Sequence, residues 1–384
     1  MSVPTGRPPP DSPPHPRRRL LARLPLGFGL SSLLSSMAFI PRAARADDGE
    51  ALEDDEDVLF LPGIARQLDD ARVEVDLQAW IHEKGRRRLL DAGLARYLGL
   101  KPGEMSPTDQ LRFRRRTELF HAKSEQGTVL VVEFDADGPP VTMPPSDRAG
   151  RTGLRTVVAL PPHAAAAEQA RPWLRFHAVV TDAPQRRVEG RALLVPGQGL
   201  SVVTDIDDTI KKTEVRDTHR MMLNTFARTF EAVPGMARRY RELARQPHAR
   251  FHYLSSSPLQ LLPSLKGFLN RARFPAGSMH LRESTLVRNW IPNKGESRAH
   301  KQGVLQRLLA DFPERRFLLV GDAGELDPEI YGEVARSHPQ RVEAILIRDV
   351  GGADRNAQRY LQAFADVEPS RWHLFTDGTD WPLP

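Results

Sequence analysis

The chain predicts an α/β fold, a parallel sheet flanked by helices, preceded by a small β-rich, sandwich-like domain. Three observations carry this. Short apolar runs of period two occupy the stretch from Val58 to Pro196, continuous apolar runs alternate with helix-length stretches after Leu200, and polar clusters close those later runs. Period-two alternation bounded by Gly and Pro marks half-buried strands, whereas short continuous runs alternating with helices mark buried parallel strands.

Taken in order, residues 1–46 hold seven arginines and one acid, Asp11, which accounts for the whole formal excess of +6 and leaves the remainder balanced. The basicity is therefore no argument for a nucleic-acid partner, and none is expected. The basic run is followed by Leu20 to Ile40 with Arg23 as its one charge, then by Ala44-Arg45-Ala46 before Asp47. That order is the order of an export signal, with cleavage expected after Ala46. Arg17-Arg18-Arg19-Leu20-Leu21 fits a loose twin-arginine pattern and points to the bacterial periplasm. A mitochondrial transit peptide is also Arg-rich; the A-x-A step favours secretion. No later segment reaches the roughly 18 apolar residues of a membrane span, so no transmembrane helix is expected in the mature chain. With no cysteine, disulfides, thiolate metal sites and cysteine nucleophiles are excluded.

Residues 47–57 are strongly acidic with almost nothing to bury, and a disordered lead-in is expected. The β-rich domain then spans 58–196, with strands expected at Val73 to Leu77, Thr128 to Phe134, Leu154 to Leu160 and Leu174 to Val180, and a helical piece from Arg86 to Leu98. Its clusters Arg86-Arg87-Arg88 and Arg112, Arg114, Arg115, Arg116 suit either a solvated, internally paired face or anionic lipid headgroups.

The α/β domain spans 197–352, with a C-terminal helix and tail over 353–384. Its strands are expected at Ser201 to Asp205, Phe251 to Ser255, Arg316 to Gly321 and Val342 to Ile347. Helices are expected at Lys212 to Phe230, Met236 to Ala244, Leu259 to Leu269, Glu296 to Ala310 and Pro328 to Arg336; Pro234 and Pro328 stand where a first helical turn tolerates proline.

Ligands of open parallel sheets collect beyond the carboxyl ends of the strands. Those ends read Thr204-Asp205-Ile206-Asp207-Asp208-Thr209, Ser255-Ser256-Ser257 and Gly321-Asp322 followed by Asp327, and a helix adds His300-Lys301. Each type has a task toward a phosphate monoester. Asp205 can take the phosphoryl group as an acyl phosphate, and Asp207 can protonate the leaving alkoxide and deprotonate water. Ser255 and Lys301 can bind phosphoryl oxygens, with Lys294 a competitor for the lysine role. The carboxylates of Asp205, Asp207, Asp322 and Asp327 crowd one crevice and call for a cation: Asp322 completes a Mg²⁺ site with Asp205, and Asp327 orients a metal-bound water. A calcium loop at Asp205 fails, because Ile210 stands where the sharp-turn glycine belongs. Absence of H-E-x-x-H, P-loop and G-x-S-x-G patterns removes the zinc protease, nucleotide-binding and serine hydrolase alternatives.

Residues in this order resemble the four motifs of the haloacid dehalogenase superfamily. Thr204 to Lys211, Phe251 to Pro258, Phe274-Pro275-Ala276-Gly277-Ser278, Gly321 to Tyr331 and Ile347-Arg348-Asp349-Val350 further resemble the App1-type phosphatidate phosphatase catalytic domain, a relative of the lipins. The resemblance covers roughly Leu200 to Val350. It implies a haloacid dehalogenase-like fold and Mg²⁺-dependent hydrolysis of phosphatidate to diacylglycerol and phosphate. Asp205 would be the nucleophile, Asp207 the acid/base, Ser255 and Lys301 the phosphate contacts, and Asp322 and Asp327 metal residues. The expected partner is a phospholipid at a membrane surface, with a soluble or lysophospholipid monoester, or a non-catalytic lipid-binding module, as alternatives. Met221, Met222, Leu223 and Trp290 are candidates for gripping acyl chains, against the commoner fate of core packing.

Overall fold

In the computed structural model the described residues are 50–53, 55–83, 91–136, 138–160, 172–179, 186–283, 293–352 and 354–382. The export-signal expectation, Arg86-Arg87-Arg88 and Trp290 lie outside them. The elements run β1 (Glu50–Ala51), β2 (Glu56–Phe60), β3 (Gly63–Gln67), β4 (Arg72–Glu83), α1 (Asp91–Tyr97), α2 (Pro107–Thr117), β5 (Thr128–Val129), β6 (Val131–Phe134), β7 (Val141–Thr142), β8 (Arg151–Ala159), β9 (Trp173–Val179) and β10 (Arg187–Val195). The second half follows as β11 (Gly199–Thr204), α3 (Thr218–Met222), α4 (Met236–Leu243), β12 (Arg250–Pro258), α5 (Leu262–Arg271), β13 (Gly277–Arg282), α6 (Lys294–Asp311), β14 (Arg315–Asp322), α7 (Asp327–Ser337), β15 (Val342–Arg348), α8 (Gln358–Ala363) and β16 (Trp372–Phe375).

The first half builds one branched, mostly antiparallel sheet in the order β2-β4-β3-β10-β9-β6-β7, with β8 on the other edge of β4. Alternate residues of β4 (Val73, Val75, Leu77, Ala79, Ile81), β9 (Leu174, Phe176, Ala178) and β10 (Ala192, Leu194) point to one side and share one core, so the sheet curls around its own apolar face. The acidic lead-in is ordered over its described part. Glu50–Ala51 pair with Thr128–Val129, Leu52 is buried, and Glu56 opens β2. A single buried leucine and a strand register outweigh a composition that reads as solvated.

The second half is a six-stranded sheet, β13-β12-β11-β14-β15-β16, with every neighbouring pair parallel. Together the halves make a mixed α/β fold. The crossover connections carry helices, as parallel pairing demands. The expected helix from Lys212 to Phe230 is reduced to α3 and one wide π turn over Leu223–Ala227. Asp208 is the reason: its carboxylate accepts from the N–H groups of Thr213, Glu214 and Val215, at 2.7, 2.8 and 2.6 Å, and holds that segment as a loop.

The two halves share their packing. Leu193 and Val195 of β10 join the core beside β14 and β15, and α1 and α2 contribute Leu94, Leu98 and Phe113 to the core on the opposite sheet face. The junction is pinned by Arg315, which donates from Nη1 to the carbonyl of Pro196 (3.0 Å), from Nη2 to that of His248 (2.8 Å) and from Nε to Ser201 Oγ (2.8 Å). Of the expected arginine face, Arg116 is buried: it donates to the Thr225 carbonyl and lies 3.6 Å over the Phe230 ring. Both the solvated-face and the headgroup reading fail for it. No helix among the described residues is long and apolar enough to cross a membrane.

Candidate active site

Asp205 is the first residue past β11, and its N–H still donates to the Val320 carbonyl at 2.9 Å, which places it at the carboxyl edge of the sheet between β11 and β14. The turn that follows is held from below by Ile206 and Ile210, both fully buried. Asp208 completes it in the left-handed region, φ 54°. Three backbone N–H groups on its carboxylate and Arg348 Nη1 on its carbonyl (2.6 Å) compensate that conformation.

Asp205 is 1% exposed. Its Oδ1 lies 2.9 Å from Lys301 Nζ, and its Oδ2 accepts from Thr209 Oγ1 at 3.1 Å. Lys301 reaches it because α6 turns Ser297, Lys301, Val304, Leu305 and Leu308 to the sheet. The same ammonium contacts Asp327 Oδ1 at 2.5 Å and Glu325 Oε2 at 3.1 Å. Lys294, the competing lysine, is exposed at the start of α6 and lines the rim of the cavity. Asp327 opens α7, and its Oδ2 accepts from the Asp322 N–H at 3.2 Å. Only glycine fits at 321, since a Cβ there would meet Asp327 Oδ2 at 2.4 Å.

Asp322 binds one oxygen and leaves the other bare. Its Oδ1 accepts from the N–H groups of Gly324 (2.5 Å) and Glu325 (3.3 Å), while Oδ2 is buried with no hydrogen-bond partner among the described residues. One oxygen each of Asp205, Asp322 and Asp327 lie within 4.8 Å of one another. Four carboxylates, counting Glu325, thus face one lysine. Burial pushes the Asp205 carboxyl well above the usual range, with Asp327 and Glu325 adding to it against the pull of Lys301. Burial and then Asp327 and Asp205 do the same to Asp322. Lys301 is held charged, its carboxylate neighbours outweighing its burial. A bare buried oxygen inside an all-oxygen, net-negative cluster fits a hard divalent cation.

Asp207 belongs to a separate set. Its Oδ1 contacts Lys211 Nζ at 2.7 Å and accepts from Thr213 Oγ1 at 2.8 Å; its Oδ2 accepts from Ser255 Oγ at 3.1 Å and Ser257 Oγ at 3.0 Å. Burial works to raise its carboxyl, but Lys211 and these hydrogen bonds outweigh it and hold it at about 2. It stands outside the group formed by Asp205, Asp322 and Asp327. Ser255 is fully buried and also accepts from the Ser257 N–H at 3.0 Å, so its hydroxyl is engaged beside Asp207.

Asp205, Asp207 and Glu325 line a cavity of about 540 Å³, with Asp322, Asp327 and Lys301 buried behind them. Its polar side carries Asp205, Asp207, Ser256, Ser257 and Glu325, and its opposite wall is Val215, Met221, Met222, Phe226 and Leu261. Of the hydrophobic candidates, Met221 and Met222 line the cavity, whereas Leu223 packs in the core. Lys211, Ser257 and Glu325 stand inside the sequence motifs without an assigned role, and Thr213 and Arg359 lie outside them. A lysine four residues after Asp207 was visible as a signal for the first; Arg359 had none, because it sits beyond the motifs.

Residues 200–349 match the family model described as the catalytic domain of phosphatidate phosphatase APP1, and they form an App1-type catalytic domain. Over 154 residues the chain is 34% identical to the Saccharomyces cerevisiae protein named phosphatidate phosphatase APP1, covering 39% of this chain and 26% of that one. Over 162 residues it is 35% identical to an uncharacterized protein of Schizosaccharomyces pombe, covering 40% and 25%. The chain spans about a quarter of the length of these curated relatives.

Proposed function

We propose that this chain is a Mg²⁺-dependent phosphatidate phosphatase of the haloacid dehalogenase type, hydrolysing phosphatidate to diacylglycerol and phosphate at a lipid surface after export to the periplasm. The observation that carries the reading is Asp205, which lines a cavity with apolar residues and is gathered behind that surface with Asp322, Asp327 and Lys301. Its volume is that of an ordinary small-molecule site. The match to the App1-type catalytic domain supports the same substrate.

In the proposed reaction an Asp205 carboxylate oxygen attacks phosphorus. The bond from phosphorus to the glycerol oxygen breaks, and its electron pair leaves with that oxygen. Asp207 supplies the proton. In the substrate-free site it is a carboxylate, so it takes that proton up with the substrate, whose own negative charge beside it raises its affinity for protons. Ser255 and Ser257 hold its Oδ2 in place. Water then attacks the phosphoryl group, Asp207 accepts its proton, and the bond to Asp205 breaks to release phosphate. Lys301 binds the phosphoryl oxygens as charge gathers on them. Mg²⁺ would be held by Asp205 and Asp322 with Asp327 beside them, and when bound it neutralises the carboxylates and the phosphate together. Met221, Met222 and Phe226 offer surface to acyl chains.

A phosphate-release panel on the purified protein tests this: phosphatidate and lysophosphatidate in mixed micelles against sugar phosphates and nucleotides, with Mg²⁺ and with EDTA. Phosphatidate should turn over at least about tenfold faster than the soluble esters, consistent with burial of several methylenes at about 0.8 kcal/mol each, and EDTA should stop it. Turnover of soluble esters alone would refute the lipid substrate, and full turnover in EDTA would refute the metal.

A further inference from the structure

Arg359 of α8 stands past residue 349, where the family match ends, yet it reaches the loop that carries the metal residues. Its Nε and Nη2 pair with both carboxylate oxygens of Glu329, in the first turn of α7, at 2.7 and 2.9 Å. Its Nη1 donates to the Ala323 carbonyl and its Nη2 to the Glu325 carbonyl. It also lines the cavity.

The Ala323 carbonyl and the Gly324 N–H belong to one peptide unit. Arg359 holds its oxygen, and its N–H donates to Asp322 Oδ1 at 2.5 Å. A planar trans peptide gripped at both ends cannot rotate. The charged donor at one end also polarises the unit and strengthens the bond at the other. Asp322 is thereby committed to its Oδ1 contact, its Oδ2 is left bare, and one oxygen of this carboxylate lies within 4.8 Å of an oxygen of Asp205 and of Asp327. Gly324 is where this grip is tightest: a Cβ there would meet Asp322 Oδ1 at 2.8 Å and Val215 Cγ2 at 2.7 Å. Arg359 itself is anchored by a bidentate ion pair, the geometry a guanidinium supplies and an ammonium does not.

We infer that Arg359, supplied by the C-terminal segment, is a positioning residue that acts through the 323–324 peptide unit to orient Asp322 for a divalent cation. The inference rests on the metal-dependent phosphatase reading, and its test separates the two. Arg359→Ala and Arg359→Lys are compared with Arg336→Ala. Arg336 donates to the carbonyls of Ala363 and Ala365 and so anchors α8 to α7, but it makes no contact with the 322–327 loop. Mg²⁺ binding is measured by calorimetry and by Mg²⁺-dependent melting, beside kcat and KM for phosphatidate.

Both Arg359 variants should bind Mg²⁺ about 10–100-fold more weakly, the range for loss of a group that orients a metal ligand. Their kcat should fall with KM little changed, and added guanidinium should restore part of the alanine variant's binding. Arg336→Ala should lower the melting temperature and leave Mg²⁺ affinity at the wild-type value. Unchanged Mg²⁺ affinity in folded Arg359→Ala overturns the inference, as does equal weakening in Arg336→Ala. A wild-type protein that binds Mg²⁺ without releasing phosphate overturns the phosphatase reading and leaves the role of Arg359 in metal binding open to the same comparison.

Discussion

Replacing Asp205 by Asn removes one charge from a cluster of four carboxylates around one lysine while keeping the shape of the side chain. Charges 4.8 Å apart, the outer limit among Asp205, Asp322 and Asp327, repel by roughly 3 kcal/mol at an effective dielectric near 20. The pair with Lys301 at 2.9 Å attracts by roughly 6 kcal/mol on the same scale. Two such repulsions cancel that attraction, and burial then tips the balance against the charge, in agreement with the raised Asp205 carboxyl. Lys301 keeps Asp327 and Glu325 as partners after the change. The metal-free variant at pH 8 should therefore be more stable than wild type by about 1–3 kcal/mol, a rise of roughly 2–6 °C in melting temperature. Phosphate release should fall by on the order of 10⁴ or more if Asp205 is the nucleophile. Melting in EDTA and in Mg²⁺, with turnover on phosphatidate, reads all of this at once. Turnover within tenfold of wild type would refute the nucleophile, and a lower melting temperature in EDTA would refute the charge accounting.

Two further outcomes follow from buried groups. Asp205 and Asp322 have raised carboxyls in the metal-free fold, so the stability they contribute is present at low pH and is lost as pH rises through their folded values. A cation must displace their protons, so Mg²⁺ should bind more tightly at pH 8 than at pH 6 and release protons measurable by calorimetry in buffers of different ionisation heat; no release would contradict it. Within the sheet, His252 bridges Ser278 Oγ (2.8 Å) and Ser201 Oγ (3.2 Å), and burial lowers it well below the usual value, as it lowers His280 to about 3 and His300 to about 4. Depressed histidines give stability above the unfolded value near 6.5 that is lost as pH falls toward the folded ones, about 1.4 kcal/mol per pH unit for each. Urea midpoints between pH 6.5 and 5 should fall, and His252→Gln should flatten that slope by up to about 1.4 kcal/mol per pH unit; parallel slopes would refute the role of His252.

The catalytic half was legible because its chemistry sits at strand ends. A residue at the carboxyl edge of a buried parallel strand is polar for a reason, so Asp205, Ser255 and Asp322 announce themselves in apolar surroundings. Lys301 was legible from its resemblance, and its full burial is what separates it from Lys294. Other features turned on contacts distant in sequence. The segment after Lys212 has a helical composition, yet Asp208 captures its N–H groups and α3 starts only at Thr218. The strand β13 is short and follows Pro275, and β16 lies in what reads as a tail; each needs the edge of an existing sheet to form. Arg116 sits in a run of arginines and is buried only because Phe230, more than a hundred residues on, offers its ring.

That last contact bears on where the active unit begins and ends. Met221, Met222 and Phe226 of the cavity's apolar wall stand on α3 and the π turn, and α2 with the turn after it backs them: Arg116 Nη1 donates to the Thr225 carbonyl at 2.9 Å, and the Phe120 ring lies 5.5 Å from that of Phe226. On the far side β16 closes the sheet against β15, and Arg359 grips the loop of Asp322. Residues 200–349 contain Asp205, Asp207, Asp322 and Lys301, but one wall of the cavity is braced by the segment before them, and the loop of Asp322 is held by Arg359 from the segment after. A side chain that touches a phosphate must keep its chemistry, so it stands out in sequence. Bracing residues need only reach, and many side chains can do that from many places in the chain. The recognisable catalytic stretch is for this reason shorter than the structure that holds it in working geometry.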